Sequence, residues 1–376
     1  MGYKEQLAAA REKIDGIDSE YLQLFSRRME LSREIAKIKS ENNLAIFDEG
    51  REQQIVERAA KLVDPSLRGE ALLLMRATLA LSRGQQRNLL FHNEAPLLPP
   101  PRVHKNTNLK CAYQGVAGAW SQQAARRFFP DAELLSSEYF EDVFNAVKNG
   151  SADYGVVPIE NSRTGAIGET YDLLRKHGCY IVGRLWIDIK QCLLGNKNAA
   201  LDDIREVYSH PEGFKQCRKF LNHRAWEQIA CRNTAVAAEL VSNAGANRVA
   251  AIGSRLAAEL NNLQILASDI TDDSGNRTSF VVISAEPEYT ERDNLISVTF
   301  STQHRSGALC ETLLPFMAQG INMMRIESRP TSGGKYRFFM EIEANILDED
   351  TLSTLRQAAL ASEYFEVIGC YTQIGD

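Results

Sequence analysis

From Leu7 to Ile38 apolar residues recur seven apart in two interleaved series, Leu7, Ile14, Tyr21, Ile35 and Ile17, Leu24, Leu31, Ile38. Gly16 is the one internal helix breaker. That spacing predicts one long helix, and its apolar seam needs a partner to cover it. A loop near Asn42 to Ile46 leads to a second helix over about 48–62. Asp64 and Pro65 then supply an N-cap and first-turn proline for a third helix ending near Leu90. Residues 1–93 therefore read as an all-α domain.

The run EAPLLPPPRVHKNTN, residues 94–108, is proline-rich and then polar, which predicts a semi-rigid linker. Over 109–287 short β-rich runs (KCAYQ, YGVVPI, REVYS, RVAAIG, TSFVVIS) alternate with helical stretches. This is an α/β pattern with mostly parallel strands, long enough for two lobes. Over 294–376 the order strand, helix, strand, strand, helix, strand predicts an α+β ferredoxin-like unit. With 376 residues, two to three domains are expected.

A net charge of −6 argues against broad capture of nucleic acid or anionic membrane. The opening MGYKEQLAAAREK carries no secretory pattern, and no later run is apolar enough to span a bilayer, so the expected compartment is the cytosol. Seven cysteines without a CxxC pair and six histidines without ligand spacing predict no metal and no cofactor.

Arg28 shares the seven-spaced series of Leu7 and Ile14, where a buried unpaired cation is costly, so an anion should meet it. Lys39, eleven residues on, lies on nearly the same face. Arg11, seventeen residues before Arg28, is about 25 Å away along a straight helix. If both arginines serve one small dianion, Arg11 comes from a second chain. The bland alternative is that Arg28 snorkels and Arg11 and Lys39 are solvated charges.

Together REKIDGID, Arg28, Lys39, the run DEGRE (Asp48 to Glu52), Ser82 and Gln86 resemble the active-site series of the all-α chorismate mutases, which are long-helix intertwined dimers. The resemblance implies that Arg11 of a second copy and Arg28 hold two carboxylates. Lys39 and Gln86 would then face the breaking ether oxygen, Glu52 would accept from the substrate hydroxyl, and Asp48, Arg51 and Ser82 would complete the pocket. Such a set suits a Claisen rearrangement, which needs a compact conformer and charge stabilisation rather than a nucleophile. Gly84, a poor helix former, stands two residues before Gln86.

In YQGVAGAWSQQAA, a strand runs into a helix start where Gly115, Gly118 and Ser121 could offer N–H groups and a hydroxyl to a carboxylate. In GVVPIENSRTGAI an apolar strand ends at Glu160, Asn161 and Ser162; YSHPEGFKQC brings Ser209, His210 and Gln216; NRTSFVVIS brings Thr278. Each alone is as well read as a cap or turn. Together they resemble the prephenate dehydratase family over Leu109 to Pro287, with a two-lobed, periplasmic-binding-protein-like fold. The family's Thr-Arg-Phe stands here as Thr278, Ser279, Phe280, so its arginine is missing, with Arg277 a candidate substitute. The resemblance implies that Thr278 donates to the departing hydroxyl, with Glu160 a candidate proton source and Asn161, Ser209 and Gln216 orienting substrate.

GALCETLLPF and GINMMRIESRP resemble the two ligand-binding segments of the ACT domains attached to prephenate dehydratases. The resemblance implies a phenylalanine site using Gly307, Ala308, Leu309, Asn322, Glu327 and Ser328. The expectation is thus a homodimer or higher homo-oligomer that takes chorismate to prephenate and prephenate to phenylpyruvate, under phenylalanine control. Two other readings stay open: a dehydratase whose helical domain is only a dimerisation arm, and a non-catalytic two-lobed sensor.

Overall fold

The structure is a computed structural model that describes residues 2–90, 96–102, 107–273, 275–331 and 334–375. It divides into two compact units: residues 1–96, 300–320 and 352–365 form one, and the remainder forms the other.

In the first unit the seven-residue periodicity yields a single helix, α1 (Tyr3–Glu41). Asp48 caps α2 (Glu49–Ala59) by accepting from the Arg51 N–H at 2.9 Å. Asp64 and Pro65 open a short 3-10 turn that leads into α3 (Arg68–Leu90). Gly84 does not interrupt α3. Met29, Ser32 and Ala36 of α1 are buried, whereas the predicted seam is exposed, from 43% at Tyr21 to 67% at Leu24. One face of α1 thus packs within the chain and the apolar stripe is left uncovered.

The linker prediction falls partly on 94–95 and 103–106, outside the described residues. Residues 97–102 belong to the second unit: Arg102 donates its N–H to Pro287 O at 2.8 Å, and Leu98 is buried.

The second unit opens with β1 (Lys110–Gln114), α4 (Trp120–Phe128), β2 (Glu133–Ser137), α5 (Phe140–Lys148), β3 (Tyr154–Asn161), β4 (Gly165–Ala166), α6 (Gly168–His177) and β5 (Tyr180–Asp188). The chain then crosses to a second lobe with β6 (Cys192–Gly195), β7 (Glu206–Ser209), α7 (Pro211–Gln216), α8 (Arg218–Leu221), β8 (Glu227–Ala230), α9 (Thr234–Ala244), β9 (Val249–Gly253), α10 (Arg255–Leu260) and β10 (Gln264–Ala267). It returns as β11 (Arg277–Ser284), inserted between β3 and β5. Here the expectation of mostly parallel strands needs correcting. β1 is parallel to β2 and β3, but β11 enters from the second lobe and runs antiparallel to both its neighbours. The second lobe's sheet, ordered β10-β6-β9-β7-β8, is likewise mixed.

The C-terminal order is as expected: β12 (Leu295–Ser301), α11 (Ala308–Ala318), β13 (Met323–Pro330), β14 (Tyr336–Glu343), α12 (Glu349–Ala361) and β15 (Tyr364–Tyr371). Its strands are ordered β13-β14-β12-β15, and β15 lies parallel to β5, so they extend the first lobe's sheet. The junction at Gly369 requires glycine, because a Cβ there would lie 2.2 Å from Ile181 O. No helix of the described residues is long and apolar enough to cross a membrane.

Candidate active sites

In the helical unit a line of polar contacts joins α1 to α3. Arg28 donates to Ser82 Oγ and, at 3.4 Å, to Thr78 O. Ser82 Oγ in turn donates to Thr78 O at 2.9 Å, Ser32 Oγ to Ser82 O at 3.1 Å, and Gln86 Nε2 to Ser32 Oγ at 3.1 Å. Gln86 is buried, and its Oε1 has no partner among the described residues. An acceptor left so is a strong demand for a donor. Arg28 is half-buried with no carboxylate in ion-pair range among those residues; burial lowers its pKa, while the charges of Glu52 and Tyr21 oppose the shift. Lys39 lies partly buried and donates to Ile46 O.

Asp48 serves as the α2 cap, and Arg51 and Arg11 are exposed. Glu52 is held by a residue that the sequence reading missed, Arg83. Its guanidinium bonds both Glu52 oxygens through Nη1 and grips Glu311 with Nε and Nη2, each at 3.0 Å. Arg83 and Glu311 are both about 6% exposed.

In the two-lobed unit, cross-strand register places Thr278 opposite Asn161. Asn161 Nδ2 donates to Thr278 Oγ1 at 3.0 Å and to Asn276 Oδ1 at 2.9 Å, while its Oδ1 accepts from the N–H groups of Arg163 and Thr164 at 3.0 and 3.2 Å. A hydroxyl has one hydrogen and two lone pairs. Thr278 therefore accepts from Asn161 and keeps its hydrogen for another acceptor. Asn276, a second residue missed in the sequence, is buried, and its Nδ2 has no partner among the described residues. Ser162 Oγ donates to Gly275 O at 3.1 Å and accepts from Arg277 N–H at 3.0 Å, which ties it to the residues just before Thr278.

Glu160 does not work beside Thr278. It pairs in register with Ser279, and alternation along a strand sends it to the opposite face from Asn161 and Thr278. There its Oε2 meets Arg325 at 2.8 Å and Arg184 at 3.3 Å. Arg184 also donates Nε to Ser279 Oγ at 2.8 Å and forms an ion pair with Glu341. So the guanidinium beside residue 279 comes from β5. Arg277, the substitute expected from sequence, turns instead to Asp188 at 2.9 Å.

The glycine loop also differs from expectation. Gly115 N–H donates to Ser137 O at 2.9 Å and Gly118 N–H to Gln122 Oε1 at 2.8 Å, so neither is offered to a ligand. Gly118 has φ near +90° and a Cβ there would meet Ala257 of the second lobe at 2.9 Å, so its role is close approach of the lobes. Ser121 is buried in the first turn of α4. Ser209 is fully buried and donates to Ile252 O at 3.4 Å; His210 caps α7 through Nδ1. Gln216 Oε1 accepts from Gln191 Nε2 at 3.1 Å. A cavity of about 660 Å³ opens among Gln122, Gln123, Arg126, Leu256, Leu260 and Ile187, the last being the register partner of Thr278 on β5.

In the C-terminal segment Gly307 adopts φ 78° immediately before α11, with Ala308 buried and Leu309 half-buried. Asn322, just ahead of β13, donates to Glu343 at 2.7 Å; Glu327 and Ser328 lie on β13.

The prephenate dehydratase family matches residues 111–288, and the chorismate mutase type II family matches residues 10–87. The bifunctional chorismate mutase/prephenate dehydratase of Escherichia coli is 33% identical over 99% of this chain and 97% of its own length. The chain belongs to that bifunctional family. Among solved structures, prephenate dehydratase from Arthrobacter aurescens in complex with L-Phe is 26% identical (TM-score 0.65, 70% of this chain and 90% of that one). GqqA, described as a quorum quenching acylase, is 30% identical (TM-score 0.66, 70% of this chain and 98% of that one).

Proposed function

We propose that the helical unit rearranges chorismate to prephenate and that the two-lobed unit converts prephenate to phenylpyruvate, carbon dioxide and water. In the first reaction Arg28, and Arg11 of a second copy, hold the carboxylates. Lys39 and the buried Gln86 stabilise charge on the ether oxygen, and Glu52 takes the ring hydroxyl. Asp48 contributes by capping the helix that carries Arg51 and Glu52.

The second reaction breaks the bond to the ring carboxylate, sends that electron pair into the aromatising ring, and expels hydroxide from the opposite carbon, a proton from solvent completing the water. The observation that carries this reading is the Asn161–Thr278 pair: the amide donates to the threonine oxygen and leaves its hydrogen for the departing hydroxyl. Asn276 Nδ2 is a second donor close by. Ser121, Ser162, Ser209 and Gln216 shape and orient, and Glu160 acts through its ion pairs rather than as the acid. Fold likeness to an acylase assigns no acylase chemistry here, since fold does not fix reaction.

The exposed stripe of α1 supports a homodimer, and the C-terminal βαββαβ order with Gly307 ahead of α11 supports an ACT module that binds phenylalanine through Gly307–Leu309 and the β13 residues. The test is incubation of the purified chain with chorismate, following prephenate and phenylpyruvate with and without phenylalanine. Prephenate should appear first and phenylpyruvate after it, with phenylalanine slowing the second step. Turnover of added prephenate alone would leave the helical unit a dimerisation arm.

A further inference from the structure

The Arg83 guanidinium is buried in the helical unit, and each of its three nitrogens meets a carboxylate. One edge, Nε and Nη2, meets the two oxygens of Glu311 at 3.0 Å each, and the remaining Nη1 meets Glu52. Glu311 lies in the first turn of α11, 228 residues further along the chain. It collects two further guanidinium groups, Arg87 at 2.7 Å and Arg305. Phe47 closes the cluster, with Arg83 and Arg305 over its ring at 5.5 and 4.8 Å.

A planar guanidinium gripped on one edge by a bidentate carboxylate has one orientation left. Whatever it meets with its free nitrogen is fixed with it. We infer that Glu311 is a positioning residue for the rearrangement: it clamps Arg83, and Arg83 sets the Glu52 carboxylate that receives the substrate hydroxyl. The C-terminal segment thus supplies part of the first domain's pocket. Without Glu311, Arg83 is released from its clamp, and Glu52 becomes its sole carboxylate partner in the cluster, drawn onto the guanidinium and away from the hydroxyl. The inference rests on the mutase reading and adds to it a residue from outside the mutase domain.

The experiment is Glu311→Gln in the full chain, assayed separately with chorismate and with prephenate. The Glu52 contact to the hydroxyl is made in ground and transition state alike, so its loss raises KM while kcat holds. About a tenfold rise in chorismate KM is expected with kcat within about twofold, and prephenate turnover should equal the parent's. A chorismate analogue lacking the ring hydroxyl supplies the discriminating readout: it should bind parent and Glu311→Gln equally. Glu311→Asp, which restores the charge at shorter reach, should recover part of the KM. An unchanged chorismate KM overturns the inference. So does equal weakening of chorismate and the analogue, or a matching fall in prephenate turnover, since either makes Glu311 a general support of the structure. A parent chain inactive on chorismate would instead overturn the mutase reading itself.

Discussion

In the proposed dehydration Thr278 serves as a hydrogen-bond donor rather than as an acid in its own right, because an alcohol is about as weak an acid as water and cannot protonate the substrate hydroxyl before it departs. Its strength comes from placement: the Asn161 amide fills one lone pair and the strand register fixes the other contacts. Thr278→Ala should therefore lower dehydratase kcat by about 10²- to 10³-fold, the range for losing one positioned hydrogen-bond donor. Thr278→Ser, which keeps the hydroxyl, should stay within about tenfold of the parent. Equal loss in both would place the function in the methyl group's packing instead. A second residue-scale prediction concerns acid stability. Burial pushes the Glu311 carboxyl up, but hydrogen bonds from Arg83 and Arg305 and the charges of Arg83 and Arg87 outweigh it, holding the pKa at about 2 against an ordinary 4.5. A depressed carboxyl stabilises above its unfolded pKa and loses that contribution as pH falls through the folded one. The stability difference between parent and Glu311→Gln should be about 3 kcal/mol at pH 5 and about half that at pH 3. Denaturant titrations at the two pH values check it, and a gap independent of pH would show that the Glu311 carboxyl titrates alike in the folded and unfolded chain.

At the scale of elements, strand β5 does more than pair. Through Arg184 it joins Ser279 on β11, Glu160 on β3 and Glu341 on β14, a buried network continued by Tyr371, which donates to Glu341 at 2.8 Å. Removing one partner of a buried ion network typically costs about 3–5 kcal/mol. Arg184→Met should accordingly lower the thermal midpoint of the second unit and cut dehydratase activity, because the displaced Ser279 carries the register of Thr278. Arg184→Lys keeps charge without the fork and should fall between them; mutase activity should not follow either change. If Arg184→Met retains full dehydratase activity, the network is dispensable for Thr278. These contacts mark the limit of what the chain shows unaided. Helices α1 to α3, the two lobes and the C-terminal element order were legible because periodicity, caps and prolines act over a few residues. Asn161 and Thr278 were legible as polar ends of apolar strands. Arg184, Arg83 and the opposite facing of Glu160 were not, since each depends on pairing between segments far apart in sequence. The antiparallel entry of β11 escaped for the same reason: nothing local to TSFVVIS states between which strands it will lie.

At the scale of the whole molecule, α1 poses the question of a second copy. Arg11 and Arg28 sit on one helix about 25 Å apart, and the stripe through Ile14, Ile17, Tyr21 and Leu24 is exposed. A two-fold partner laid along that stripe would bury it and bring each Arg11 toward the other chain's Arg28, the self-complementary geometry of a symmetric dimer. Mixing two inactive variants tests this directly. Arg11→Ala and Arg28→Ala should each abolish mutase activity alone. In a mixed dimer, one site combines both intact arginines and the other lacks both. With equal, freely exchanging chains, half the dimers are mixed and one site in each works, so about a quarter of parental mutase activity should return. Dehydratase activity serves as the internal standard and should stay constant throughout. A mixture no more active than its components would mean that the two arginines do not meet across a shared interface.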